Sequence, residues 1–163
     1  MLNDAFKNEL KLKKYDIQHI DNRNNNFVLS SDFSVADETV NIGGMKAVKV
    51  PFFDHIFTAS VFTDETREYP IFYWAYEPTN MYETEVIIEI PAGSKFVDVP
   101  TSVAINNAFM QYEIKAQTLS DNKMKITRKA IINTQTLKAT AYADFKNCVR
   151  DILKAEDMFI AYK

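Results

Sequence analysis

The chain has 163 residues, 47% hydrophobic and 25% charged, a size and mix that suit one compact domain with a core of its own. Nineteen basic against 22 acidic residues leave a net charge of −3, without the basic stripe that a phosphate backbone demands, so nucleic acid is excluded as an expected partner. No apolar run approaches the ~20 residues that span a bilayer, so no membrane span is expected, and one cysteine cannot close an internal disulfide.

In chain order, Leu10 to Ile20 and Phe27 to Val35 read as extended segments around Asp21-Asn22-Arg23-Asn24-Asn25-Asn26, a tip of residues that tolerate left-handed backbone and satisfy their own polar groups. Val40 to Ile42 and Met45 to Val50 flank Gly43-Gly44, which predicts two short strands around a bend or bulge. In Glu85 to Ile90, Val86, Ile88 and Ile90 fall at alternate positions and face a core, with the glutamates opposite, and Pro91-Ala92-Gly93 ends the strand. Tyr112, Ile114 and Ala116, then Met124, Ile126, Ala130 and Ile132 after the turn Ser120-Asp121-Asn122, alternate in the same way and predict an antiparallel hairpin with one wet face. From about Ala141 to Asp157 the period changes. Tyr142, Phe145, Val149, Ile152 and Leu153 recur at helical spacing, with Thr140 as the expected N-cap, and Phe159 to Lys163 returns as a short strand. No repeat or Pro/Gly/Ser-rich linker divides residues 1–163, which are read as one mainly β domain. Seven to nine strands and one late helix predict an antiparallel β-sandwich, immunoglobulin-like or related, with a C-terminal α-helix packed on it.

Catalytic constellations are missing from this pattern. A Cys-His nucleophile needs its imidazole within hydrogen-bond reach, and neither His19 nor His55 stands in a cysteine-protease signature with Cys148, which reads as a buried small hydrophobe on the helix. Two histidines and one cysteine far apart give no zinc spacing, and the Asp21 to Asn26 turn lacks the ligand pattern of a calcium loop, so neither metal nor cofactor is expected. Glu83, Glu85 and Glu89 share strand parity and could mimic the carboxylates of a glycosidase, but a solvated sheet face accounts for them without further assumption. Ten of the 21 aromatic residues fall between Phe52 and Tyr82. In Ile71-Phe72-Tyr73-Trp74-Ala75-Tyr76 both strand faces are apolar, as in a strand buried on both sides, or as in a stacking platform where Tyr73, Trp74 and Tyr76 would bind a glycan or peptide.

The order Pro51-Phe52, Arg67-Glu68-Tyr69-Pro70-Ile71, Pro91-Ala92-Gly93, Val99-Pro100, hairpin, and Tyr142-x-x-Phe145 helix resembles the C-terminal β domain, of unknown function, of bacterial transglutaminase-like proteins. In those proteins an N-terminal β domain and a papain-like transglutaminase core come first. The order and spacing carry the resemblance, and Met1 to Ile20 follows it loosely. It implies a non-catalytic accessory domain excised from a longer exported protein, with the Cys-His-Asp machinery elsewhere, a neighbouring transglutaminase-like domain as partner, and a periplasmic or cell-surface location. Its matching residues would be structural: Arg67 anchoring a loop ahead of Pro70, Pro91 and Gly93 shaping a turn, Tyr142 and Phe145 pressing the helix onto the sheet.

Overall fold

The computed structural model describes residues 6, 8–22, 24–57, 62–73, 79–133 and 136–163. In chain order the described strands are β1 Leu10–Gln18, β2 Val28–Val35, β3 Thr39–Ile42, β4 Met45–Lys49, β5 Ile71–Phe72, β6 Met81–Glu89, β7 Val103–Asn106, β8 Met110–Ser120, β9 Lys123–Ile132, β10 Thr136–Leu137 and β11 Phe159–Tyr162, with helix α1 at Tyr142–Glu156 before β11.

Alternation decides the main sheet. Met110, Tyr112 and Ile114 on β8 and Met124, Ile126, Ala130 and Ile132 on β9 are buried on one face, while their neighbours reach water. Ser120 pairs with Lys123, so Asp121-Asn122 closes the hairpin as a tight turn. β7 adds to the free edge of β8 and β6 to that of β9, giving the order β6-β9-β8-β7. Three consecutive strands and a fourth lying beside the far one make a Greek key. A second, three-stranded sheet, β11-β4-β3, is antiparallel throughout. Phe96 bridges Tyr162, Lys95 hydrogen-bonds the backbone of Lys163 and Val97 that of Ala161, tying the connection after β6 to this sheet.

The two sheets and the helix share one core. Val50 and Phe52 beyond β4, Ile160 on β11, and Tyr142, Phe145, Val149 and Ile152 on α1 pack with the buried face of β8 and β9. The architecture is therefore an antiparallel β-sandwich with one C-terminal helix, as the patterning predicts. The helix runs within one residue of its predicted bounds at either end, but its N-terminus differs. A 3₁₀ turn at Ala139–Ala141 leads into it, Ala141 takes the N-cap position, and no side chain caps the first turn, so Thr140 lies one residue too early. Gly43-Gly44 joins β3 to β4 as a two-residue hairpin turn rather than a bulge: Ile42 pairs directly with Met45, and both glycines have positive φ, 54° and 84°, as the twist of a tight hairpin demands. β5 pairs with β10 in a sheet of two strands, and Phe72 is exposed, so this part of the aromatic run is not the middle of a large sheet.

Candidate functional site

Met124, Ile126, Ala130 and Ile132 set the buried parity of β9, and Arg128 falls on the same parity. Its side chain is 0% exposed. A guanidinium cannot shed its charge, so burial obliges it to collect acceptors. Arg128 Nη1 donates to Glu156 Oε1 at 2.9 Å, and Nη2 donates to Asp54 Oδ1 and to Thr84 Oγ1, the latter at 2.7 Å. Thr84 stands directly across from Arg128 in the β6–β9 register, and its hydroxyl donates a hydrogen bond to the Asp54 carboxylate. The guanidinium also lies over the Phe52 ring, 4.7 Å from its centroid. One side chain thus ties together the loop after β4, strands β6 and β9, and the last turn of α1.

The cluster is tightly enclosed at its inner end. Glu156 is 6% exposed, and burial pushes its carboxyl above the ordinary carboxylate range even though Arg128 pulls the other way. Burial, with the Glu156 charge adding to it, likewise holds the Tyr112 phenol well above its usual range. Asp54 is half exposed and opens the network to water. Beside it a cleft of about 310 Å³ is lined by Lys49, Val50, Phe52, His55, Leu153, Glu156 and Asp157. A carboxyl with a raised pKa near an imidazole is an acid–base combination in kind. Glu156, however, is almost fully buried and its Oε1 accepts from Arg128, which ties it into the ion-pair cluster.

At the other end of the helix, Phe145 meets Phe57, Phe62 and Phe109 edge-on at centroid distances of 5.7, 5.3 and 5.7 Å. Arg67 lies over the Tyr142 ring at 5.6 Å. The structure therefore brings Arg67, Tyr142 and Phe145 into one region. Pro91 and Gly93 lie elsewhere, in the turn after β6, where Ser94 N–H donates to the Pro91 carbonyl and Gly93 takes a φ of 87° that a side chain would disfavour. Pro70 is exposed just before β5.

The Cys148 thiol is buried, accepts a hydrogen bond from Asn107 Nδ2 at 3.4 Å, and has its pKa pushed up by burial, the reverse of what a nucleophile requires. His19 is exposed at the end of β1, its Nδ1 2.9 Å from the Asn26 carbonyl oxygen. Glu83, Glu85 and Glu89 are exposed on β6 and each pairs with a lysine of β9: Lys129, Lys125 and Lys123. Of the aromatic platform, Tyr73 is half-buried with its hydroxyl 2.9 Å from that of Tyr82, while Trp74 and Tyr76 lie outside the described residues. Among the described residues no group of three or more His, Cys, Asp or Glu side chains could hold a metal ion, and no helix is long and apolar enough to cross a membrane.

Sequence reasoning missed the Arg128 cluster, yet two of its three charges left a signal. Arg128 breaks an otherwise apolar alternation, and Glu156 continues the Cys148, Ile152 row of α1 at four-residue spacing. A charged residue in apolar phase is a buried charge in need of partners. Asp54, in a loop, carries no such phase.

Residues 44–160 match the family described as "Domain of Unknown Function with solved-structure structure (DUF3858)". No curated protein matches the chain. Among solved structures it is similar to a protein of Parabacteroides distasonis ATCC 8503 described as a "putative protease", with a TM-score of 0.54 and 11% sequence identity over 72% of this chain. The chain spans 23% of that protein's length. At this identity the likeness is one of fold.

Proposed function

The chain belongs to the DUF3858 family, and on that premise we propose that it is a non-catalytic accessory β domain of an exported, transglutaminase-like protein with a papain-like core. It supports or feeds that neighbouring core at the periplasm or cell surface and does no chemistry of its own. One observation carries the reading: a similar fold recurs as 23% of a much longer chain described as a "putative protease". The side chains support it. The one thiol is buried with a raised pKa, and the most perturbed carboxyl is spent on a buried arginine, so the charged groups here hold elements together.

The coding sequence around Met1 and the activity of the full polypeptide test this. A cysteine-histidine-aspartate core is expected in the same reading frame, with acyl-transfer or peptide-hydrolysis activity in the full polypeptide and none in residues 1–163 alone. A gene without such a core, or activity in the isolated chain, overturns the proposal.

A further inference from the structure

Strand β6 forms one edge of the four-stranded sheet, with β9 as its neighbour. Its nine residues keep continuous register with β9, so of the devices that blunt an exposed edge it has neither proline nor bulge nor shortness, only charge, and all of one sign. The backbone shows which groups are left over. Ile132 N–H donates to the Asn80 carbonyl and Ile90 N–H to the Asn122 carbonyl, so the even-numbered positions of this segment turn their backbone groups toward β9. Successive residues of a strand present N–H and C=O to opposite edges, which sends those of Glu83, Glu85, Ile87 and Glu89 away from the sheet. Among the described residues none of these four has a backbone partner on that side.

The side chains along this edge are of two kinds. Glu83, Glu85 and Glu89 stand on the wet face, with side-chain exposures of 70, 55 and 58%. Across the sheet, the row Glu113, Lys129, Glu83 alternates in sign from β8 through β9 to β6, and it stops at an acid. A groove of about 390 Å³ borders the same strand. Four consecutive residues, Val86 to Glu89, line it from both strand faces, so it runs beside the backbone edge. Val40, Val48 and Phe159 give it an apolar wall, and the charges of Glu38 and Lys49 in its lining offset each other.

We propose that the outer edge of β6, from Glu83 to Glu89, is a docking site for an extended polypeptide strand that alternates basic and apolar side chains. The backbone of that strand takes up the free N–H and C=O groups, its basic residues continue the row beyond the glutamates, and its apolar residues enter the groove beside Val86 and Ile88. Charge decides the occupant. A second copy pairing through the same edge sets one row of glutamates against another, and like charges facing across a ladder destabilise it. The β9 lysines leave the row open to a further cation, because each makes one contact of 3.2 to 3.5 Å at an exposed position, where an ion pair is worth little. The edge is present whether or not this chain serves as an accessory domain, so the two readings stand or fall separately.

Titration calorimetry on residues 1–163 tests it, with a short capped peptide of alternating lysine and valine as the probe. Saturable binding is expected below ~1 mM peptide, weakening as salt rises, and a peptide with glutamate in place of lysine should not bind. One edge of an added strand faces β6, so N-methylating either the lysine or the valine amides of the probe should weaken binding at least ~10-fold, while methylating the other set leaves it unchanged. Ile87→Pro deletes an N–H that points away from β9, so the thermal midpoint should hold while binding is lost. Absence of saturable binding, equal binding of the glutamate peptide, equal binding of the two methylated peptides, or binding that survives Ile87→Pro overturns the proposal. A dimer in sedimentation that Ile87→Pro dissolves assigns the edge to a second copy and overturns it too. Should Ile87→Pro unfold the chain, the methylated peptides report on the same edge in the unaltered protein.

Discussion

Arg128 shows how one residue can be costly and indispensable at once. Removing its charge from water is unfavourable by several kcal/mol, and Glu156, Asp54 and Thr84 offset that cost. Arg128→Ala leaves Glu156 buried without its cation and should lower unfolding free energy by about 3–5 kcal/mol, read as a shift in urea midpoint. Arg128→Met combined with Glu156→Leu should recover most of that loss, because paired removal leaves no unmatched buried charge and Asp54 can turn to water. A double variant as unstable as the single one would mean that the ion pair itself, rather than the avoidance of an orphan, supplies the stability. Glu156 also makes stability depend on pH. Its folded pKa is raised above the ordinary 4.5, so the folded chain binds this proton more tightly than the unfolded chain does. Its contribution is complete below the ordinary value and is lost as pH rises through the raised one. Wild type should therefore lose stability relative to Glu156→Gln between acid and neutral pH, in denaturant titrations at each pH. A difference that does not change with pH contradicts the assignment.

Helix α1 is held from both ends, by the Phe145 aromatic cluster near its start and by the Glu156 contact in its last turn. Its weak point is the start itself, where Ala141 stands at the N-cap and offers no acceptor to the free N–H groups of the first turn. Ala141→Ser should add roughly 0.5–2 kcal/mol, measured as a rise in thermal midpoint, since serine is among the preferred caps and Ala141 is only half-buried. No gain would show that the preceding 3₁₀ turn holds the backbone away from capping geometry. Among the elements, those with a clear alternation or helical period were legible to within a residue or two: β8, β9, β11 and α1. The cap was not, because Thr140 and Ala141 differ by one residue, and a 3₁₀ turn shifts the boundary by that much without altering the periodic pattern.

Over the whole molecule, two antiparallel sheets and a helix enclose one core, and a two-stranded hairpin stands partly outside it. The sequence by itself determined the β class, the late helix, the two faces of the central hairpin, and the lack of metal or nucleophile spacing. Those properties depend on side chains a few residues apart, and period two or 3.6 records them directly. Only the tertiary structure decided that Asp54, Thr84, Arg128 and Glu156 meet, that Arg67 reaches Tyr142, and that a bulge at Lys13 gathers an apolar face on β1. Such contacts join residues up to 75 positions apart, as Arg67 and Tyr142 are, and they follow from which strand edges pair and how sheet and helix stack, a choice that no local periodicity encodes.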